Sequence, residues 1–440
     1  MKKLLSIIIC ILLPYTSLAF SIIRDDETES ILNTLSNPVF KVAGLDASAV
    51  SIFIVNDETP NAFVFGGQNI FITTGLIKFS NNPDTIVGVI AHETGHIVGG
   101  HLVYGAQEMR NLQKKMALSL LAAAIAGLAT QSSDAAIGTI SASQTSLMNS
   151  FMSFNRSQES AADNAAIKYM SKLGVDSSGI VSFLQKLNTD ERTFYSDISP
   201  YNRTHPLSKE RIDIIEQKMK QSKGQARSYI TEEMRQKFAR VYTKISAFTD
   251  NPNEVLAAYK NTNINSKYAS SIAYYRLGNK ALAISTLDEA MAQETSNPYF
   301  NELKGQILFE SGDTVQAIKY YEIATKIKPN SDLLRTEYAN VLISNNTNIQ
   351  LSIKMLEMVI ANDPSDIQAW NLLAKAYDLN KNKADSQIAI AYGAYLSGDE
   401  ATAKKYVATI KQYRGMNQNQ LTRFTQLKDL VATMRDEVDE

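Results

Sequence analysis

The sequence predicts an α+β fold, mainly α, in which a mixed domain with a short sheet precedes an all-α repeat solenoid. Two segments of alternating apolar residues and a helix carrying His92-Glu-Thr-Gly-His96 indicate the mixed domain. Small residues that recur in the second half, such as Gly278 and Gly312, indicate the repeats. The predicted parts are a leader at 1–19, a first domain at 20–220, a linker at 221–228 and a repeat domain at 229–440.

Length and composition indicate an ordinary globular protein. The 440 residues are 44% hydrophobic and 20% charged, and the formal net charge is −1. A near-neutral chain gives no reason to expect nucleic acid as a partner, nor an anionic membrane surface as the main one. Peripheral membrane contact stays open.

The first 19 residues have the pattern of a secretory signal peptide. A short basic start precedes the apolar run Leu4–Leu13, and Ser17-Leu-Ala19 offers small residues for cleavage near Ala19. A transmembrane anchor is the alternative, but the run is too short to span a bilayer and Pro14 interrupts it. Cys10 is the only cysteine, so the mature chain would have none, which suits an oxidising compartment. We expect the periplasm, with association with the outer membrane left open.

The first domain is expected to begin with a helix and two strands and to continue into the motif helix. Gly66-Gly67 predicts a turn between the strands, and Asn82-Pro-Asp84 is typical of a helix start. Gly99-Gly100 can end that helix. The predicted elements are a helix over Asp25–Leu45, strands over Val50–Val55 and Asn69–Thr74, and a helix from Thr85 to about Val98.

Two further segments complete this domain. Met116–Ala129 is strongly apolar but too short to span a membrane, so a buried helix is expected, with a membrane-surface or lid element as the alternative. The segment up to Phe154 has weak periodicity and is a candidate for mobile cover over a site. A second helix is predicted over Arg156–Leu173, ending at Gly174.

From about Tyr229 the chain is a series of predicted helices with tetratricopeptide spacing. Trp370-x2-Leu-Ala-x2-Tyr377 fits the first helix of such a repeat, and a non-repetitive helical bundle is the alternative. Repeats of this kind stack into a curved superhelix with a groove for a peptide or protein partner. The pairs that show the spacing are Gly278 and Gly312, Ala283 and Ala317, Leu287 and Tyr321, and Ala290 and Ala324.

The motif His92-Glu-Thr-Gly-His96 uses two of the four histidines in the chain. Residues four apart share one face of a helix, so both imidazoles can bind one zinc ion. Glu93 would then lie beside the metal, where it can activate a water molecule. Two histidines are not enough, because a catalytic zinc site needs three protein ligands.

Two candidates compete for the third ligand. His101 stands one residue before the position that metzincin spacing requires, and a continuing helix would turn it about 180° from His92. We therefore expect His101 to be solvated or locally hydrogen-bonded. Glu159 is the better candidate and completes a His2Glu site for one Zn²⁺ per chain. Asp163, one turn later, could accept a hydrogen bond from a ligating histidine. Taken alone, the Glu–Asp pair would indicate a solvated helix face.

At this point the chain resembles a known family. It is similar to the gluzincins of the HtpX and CAAX-prenyl-protease superfamily, and within it to the BepA-like proteases with C-terminal tetratricopeptide repeats. The metal motif and the repeats carry this resemblance together with several shorter matches. These are Ile23–Glu29, Asn61-Ala-Phe63, Ser153–Asp163, and Thr204-His-Pro206 with Arg211.

The resemblance implies roles for His205 and Arg211. In this superfamily a His-Pro loop, with an arginine six residues later, returns to the active site. The histidine can occupy the fourth zinc position and keep the enzyme latent, or it can help to stabilise the oxyanion. The sequence alone indicates only a turn histidine before proline and an arginine on the next helix.

The predicted function is periplasmic zinc-dependent peptide hydrolysis. Glu93 is the expected general base, and zinc, helped by His205 or Arg211, stabilises the oxyanion. The strand Asn69–Thr74 is expected to hold an extended substrate by β-addition. The resemblance implies unfolded or misassembled outer-membrane proteins as substrates and the outer-membrane assembly machinery as the partner of the repeats. The alternative is a chaperone or assembly factor for outer-membrane proteins with a latent, gated protease domain.

Overall fold

The computed structural model describes residues 21–80, 82–101, 107, 155–193, 205, 209–222 and 227–434. The predicted signal peptide and the segments Met116–Ala129 and Gln131–Phe154 lie outside these residues. The chain divides into two compact units. Unit 1 comprises 1–23, 36–80 and 84–229, and unit 2 comprises 24–35, 81–83 and 230–440. Within the described ranges, no helix is both long and apolar enough to cross a membrane.

Unit 1 contains a four-stranded sheet in the order β1-β2-β4-β3. β2 and β4 are parallel, with Ile54 opposite Ile72, and both other pairs are antiparallel. The two predicted strands are confirmed as β2 and β4, but the turn at Gly66-Gly67 joins β3 to β4, since two parallel strands need a longer connection. The strands are β1 (Ile22–Ile23), β2 (Ser51–Val55), β3 (Ala62–Phe65) and β4 (Asn69–Thr73).

The strand order corrects the expected substrate position. β4 is paired on both sides, so its backbone groups are already used within the sheet and it cannot accept a further strand. β3 lies at the edge, and in the described ranges no further strand is paired with its outer side. An added strand would therefore have to bind at an edge strand, β3 or β1, and not at β4.

The two faces of the sheet differ in burial because side chains alternate along each strand. Ile54, Ile70 and Ile72 are fully buried in the core. On the other face, Phe63 of β3 stacks on Phe71 of β4 with ring centroids 5.1 Å apart. The sheet therefore has one aliphatic core face and one aromatic, half-buried face.

The helices of unit 1 include the motif helix and its neighbours. α3 begins at Pro83 with Asp84 in its first turn, as predicted, and Gly100 follows its end at a φ of 63°. The apolar residues from Ile86 to Ala91 are fully buried, and the polar residues His92, Glu93 and Thr94 that follow them also lie inside the protein. The helices are α1 (Asp26–Ala43, shared with unit 2), α2 (Thr74–Ser80), α3 (Pro83–Val98), α4 (155–173), α5 (Ser178–Thr193) and α6 (Lys209–Ser222).

Unit 2 is built from paired helices, as the repeat spacing predicts. The recurring small and apolar residues of the repeats, among them Ala283 and Ala317, are buried where paired helices meet. Its helices are α7 (Glu232–Thr249), α8 (Pro252–Ala258), α9 (Ile264–Arg276), α10 (Lys280–Met291), α11 (Pro298–Glu310), α12 (Thr314–Ile327), α13 (Asp332–Ser344), α14 (Ile349–Asn362), α15 (Ile367–Leu379), α16 (Lys383–Leu396), α17 (Glu400–Ile410) and α18 (Gln418–Thr433).

Residues 24–35, at the start of α1, belong to unit 2. Lys244 Nζ lies 2.5 Å from Asp25 Oδ2 and 3.4 Å from Glu27 Oε2, and Lys328 Nζ lies 2.5 Å from Asp26 Oδ2. These ion pairs attach the acidic first turn of α1 to the repeats. The domain boundaries 20–220 and 229–440 remain a proposal, and the contact pattern assigns this short segment to the unit of the repeats.

Candidate metal centre

α3 places two histidines side by side in the interior of unit 1. His92 and His96 lie one turn apart, and their Nε2 atoms are 3.1 Å from each other. Both are buried, with exposed fractions of 1% and 9%. Two imidazole nitrogens that converge at this distance in a dry environment can bind one metal ion.

α4 brings a carboxylate to the same point because it packs closely on α3. A Cβ atom added at Gly95 would lie 2.9 Å from the Cα atom of Ala162, so only glycine allows this approach. Glu159 Oε2 is 3.4 Å from His92 Nε2, and its Oε1 is 3.3 Å from His96 Nε2. The predicted third ligand therefore faces both histidines.

His205 supplies a fourth ligating atom. Its Nδ1 is 3.3 Å from His92 Nε2 and 3.2 Å from Glu159 Oε1. Among the described residues, His92, His96, Glu159 and His205 form a set whose ligating atoms all lie within 4.8 Å of one another. Zinc binds nitrogen at about 2.0 Å in a tetrahedron, which puts neighbouring ligand atoms about 3.3 Å apart. The individual pairs named above are 3.1 to 3.4 Å apart, close to that value, so this donor set fits zinc.

Glu93 gives a second indication that the site fits a metal and its water. The side chain is fully buried, and neither carboxylate oxygen has a hydrogen-bond partner within the described part of the chain. The His205 ring lies close by, with its Nε2 3.3 Å from Glu93 Oε1. Burial raises the pKa of this carboxyl group. Burying a carboxylate without a hydrogen-bond partner costs free energy unless a group bound at the site, such as a metal-bound water, supplies that partner.

A second layer of charged groups holds the ligands. Asp163 Oδ1 accepts a hydrogen bond from His92 Nδ1 at 2.9 Å, which leaves Nε2 free to bind metal. Arg211 donates to Asp163 through Nε at 2.7 Å and through Nη2 at 3.0 Å. Its Nη1 lies 2.9 Å from Glu159 Oε2. In this geometry Arg211 orients two carboxylates, which favours a positioning role over direct contact with an oxyanion.

The electrostatics of the site favour a bound cation. Burial lowers the pKa of His92, but hydrogen bonds to Asp163 and Glu159 outweigh this effect and raise it to about 10. Burial lowers the pKa of His96 to about 3, with only a partial offset from Glu159. Two carboxylates that stabilise a proton on one imidazole would equally stabilise a divalent metal ion in its place.

A cavity of about 340 Å³ opens onto this set of residues. Phe63, Val64 and Phe65 of β3 form one wall, and the metal-site residues form the other. Because Thr73 N–H donates to Asn61 O, the alternation of an antiparallel ladder points the backbone groups of Ala62 and Val64 away from β4. The edge of β3 that could bind a peptide therefore borders the candidate centre.

The strand β3 was not predicted, although the apolar run Ala62-Phe-Val-Phe65 ahead of Gly66-Gly67 was a usable signal. His101 was expected to be solvated or locally hydrogen-bonded, and its Nδ1 lies 2.8 Å from His96 Nδ1, a partner that was not predicted. His101 does not belong to the set of converging ligand atoms found among the described residues. That contact depends on how the chain folds back after α3, which no spacing rule predicts.

Comparison with protein families identifies two regions of the chain. Residues 25–219 match the model of peptidase family M48. Residues 268–332 and 308–412 match models of the tetratricopeptide repeat.

The chain is also similar to several named proteases. It is 23% identical to the beta-barrel assembly-enhancing protease of Yersinia pestis over 89% of this chain and 83% of that protein. The protein of the same name from Escherichia coli K12 is 23% identical over 86% of this chain and 77% of its own length. The mitochondrial metalloendopeptidase OMA1 of Schizosaccharomyces pombe is 26% identical over 41% and 49%.

Among solved structures, the tetratricopeptide repeat protein YrrB is similar to part of the chain. It has a TM-score of 0.33 and 15% identity, and the match covers 38% of this chain and 88% of that chain.

Proposed function

Because residues 25–219 belong to peptidase family M48 and tetratricopeptide repeats follow them, we propose that this metalloprotease is a periplasmic zinc endopeptidase that hydrolyses unfolded or misassembled outer-membrane proteins. One observation supports the chemistry above all others. Four ligating atoms converge in the interior, and the carboxylate of Glu93 lies beside them without a hydrogen-bond partner in the described ranges. The names of the relatives support the substrate class.

His92, His96 and Glu159 would hold the zinc ion. When bound, zinc lowers the pKa of a water molecule and polarises the scissile carbonyl group. Glu93 accepts the proton of the attacking water and later delivers it to the leaving amine. Burial raises the pKa of Glu93, so the group can retain a proton between these two steps.

Asp163 and Arg211 would keep the ligands in place. Asp163 fixes the tautomer of His92 by accepting from Nδ1, and Arg211 neutralises the charge of two adjacent carboxylates. These groups are buried together, so their geometry is preserved as the substrate enters.

His205 would act as a gate. Its Nδ1, 3.3 Å from His92 Nε2, would take the fourth ligand position, while its Nε2 is 3.3 Å from the carbonyl oxygen of Ala62 on the outer side of β3. A substrate strand added to β3 would need that carbonyl, and the reaction would need the fourth position. An entering substrate must therefore displace His205 from both places. When no substrate is bound, His205 stays in place and the enzyme is latent. Once displaced, His205 is available to stabilise the oxyanion.

The substrate would bind as an extended segment along β3. The outward backbone groups of Ala62 and Val64 can pair with it, and Phe63 and Phe65 offer apolar contacts in the cavity. Such binding requires a segment without stable structure, which suits unfolded or stalled proteins. The groove of the repeats would bind the outer-membrane assembly machinery.

The test uses the purified full-length protein and a urea-unfolded outer-membrane barrel protein as substrate. We expect cleavage with zinc, loss of cleavage with a chelator, and loss of cleavage in Glu93→Gln with zinc content unchanged. His205→Ala should increase the cleavage rate if His205 caps the metal. A lower rate with unchanged zinc content would assign His205 to the oxyanion instead. Absence of zinc binding in the wild type would refute the proposal.

A second function is favoured by the position of His205 itself. If the fourth ligand position is filled most of the time, the chain would act mainly as a chaperone or assembly factor with a gated protease domain. A deletion strain separates the two functions. Full rescue of outer-membrane assembly by Glu93→Gln would favour the chaperone, whereas failure to rescue would favour the protease.

A further inference from the structure

His101 contacts one metal-site histidine through the nitrogen that does not face the other ligands. His101 Nδ1 is 2.8 Å from His96 Nδ1, and the two rings are inclined by 80°. His96 directs its Nε2 toward His92 and Glu159 at 3.1 and 3.3 Å, so its Nδ1 is the nitrogen left for a second partner. The distance between the two Nδ1 atoms is that of a hydrogen bond.

We propose that His101 is a positioning residue for the metal ligand His96. Its neutral ring accepts the hydrogen bond from His96 Nδ1–H and thereby fixes the tautomer that leaves Nε2 free to bind metal. Asp163 does the same for His92 at 2.9 Å. The two ligands are thus oriented by different groups, and the imidazole adds no further negative charge to a site that already contains several carboxylates. This inference rests on the proposed zinc site.

Gly99 provides the space for the ring of His101. A Cβ atom added at Gly99 would lie 2.3 Å from His101 Nε2 and 2.7 Å from its Cδ2. The φ angle of Gly99 is not in the left-handed region, whereas that of Gly100 is 63°. Gly100 therefore makes the turn that ends α3, and the backbone does not require a glycine at position 99. The ring that folds back over Gly99 accounts for the absence of a side chain there.

Two other roles for His101 agree less well with the geometry. A metal ligand would have to direct a nitrogen at the converging atoms, but its Nδ1 is directed at His96 Nδ1 and it does not belong to the set found in the described ranges. A purely solvated histidine would not explain why its ring lies over Gly99. A role in orienting His96 explains both observations.

The experiment measures zinc affinity of the full-length protein by competition with a chromophoric chelator. We expect His101→Leu to weaken zinc binding about 10- to 100-fold, the usual effect of removing a partner of a ligating histidine. His101→Asn should retain most of the affinity, because its amide oxygen can replace Nδ1 as the acceptor. Gln107→Leu, at an exposed position six residues later in the chain, is the matched control and should leave the affinity unchanged.

Gly99→Ala provides a second test of the same inference. Its methyl group must displace the ring, so it should weaken zinc binding as much as His101→Leu, and the double variant should be no worse than either single variant. Thermal unfolding of the zinc-free proteins shows whether a variant acts by destabilising the fold. If it does, His101→Asn is not expected to retain the zinc affinity.

If the wild type binds zinc, three results would overturn the inference. These are unchanged affinity in His101→Leu, equal losses in the leucine and asparagine variants, and additive effects of the changes at 99 and 101. A wild type that binds no zinc would overturn this inference together with the proposed function, so the two failures are distinguishable.

Discussion

Replacing Gly95 with alanine should separate the two helices that build the metal centre. The added Cβ would lie 2.9 Å from Ala162 Cα, 3.0 Å from Ala162 O and 3.2 Å from Ala165 Cβ. Carbon atoms pack at about 3.5 to 4.0 Å, so α4 must move away from α3 by at least about 0.5 Å. Zinc–ligand distances tolerate only about 0.2 Å. Since Glu159 lies on α4 and His96 on α3, the substitution should lower zinc affinity tenfold or more, about 1.4 kcal/mol.

The same substitution has a second, separable effect on stability. Overpacking costs about 1 to 3 kcal/mol, and the higher helix propensity of alanine returns about 1 kcal/mol. Zinc-free Gly95→Ala should therefore be less stable than the wild type by up to about 2 kcal/mol. Zinc affinity is measured by chelator competition and stability by urea unfolding. Val98→Ala, at a half-exposed position of the same helix, is the control. Wild-type affinity in Gly95→Ala would show that the packing of α4 on α3 does not hold the ligands in place.

Two further predictions concern charged groups. Asp163→Asn should weaken zinc binding about 10- to 100-fold, because His92 loses the acceptor that fixes its tautomer; unchanged affinity by chelator competition would contradict this role. In unit 2, burial and the nearby acidic groups Asp25 and Glu27 outweigh the attraction of Lys244 and raise the pKa of Glu302 to about 7. Folded Glu302 thus keeps a proton that the unfolded chain releases above about 4.5, so its contribution to stability should fall as pH rises from 4.5 to 7. The thermal midpoint should decline less over this range in Glu302→Gln, and an identical decline in both proteins would exclude this group.

Much of the fold follows from local sequence patterns. The strands β2 and β4 and the helix α3 occupy the segments that alternation and capping residues predict, because these signals act between neighbours in the chain. The paired helices of unit 2 follow from the repeat spacing. The strand order does not follow, since parallel pairing of β2 with β4 depends on the short strand β3 that was not predicted.

The residues of the candidate metal centre were likewise predicted only in part from local sequence patterns. Helical geometry alone puts His92 and His96 on one face, because residues four apart are neighbours on any helix. Glu159 was predicted from its type and its helix, and the close contact of Gly95 with Ala162 explains its approach. His205 and Arg211 were indicated by the resemblance to a family, because no local pattern points to them.

The sequence by itself determined the metal-binding helix, the third-ligand helix and the repeats, because each depends on interactions within a few turns of chain. Only the tertiary structure decided what lies around that helix. His205 meets His92 across 113 residues and Arg211 meets Asp163 across 48, and such contacts form only when a common core is packed. The same packing put β3 at the sheet edge and the ring of His101 against His96. The physical reason is that periodicity records which face of an element is buried, whereas the partner on that face is chosen by shape, charge and space.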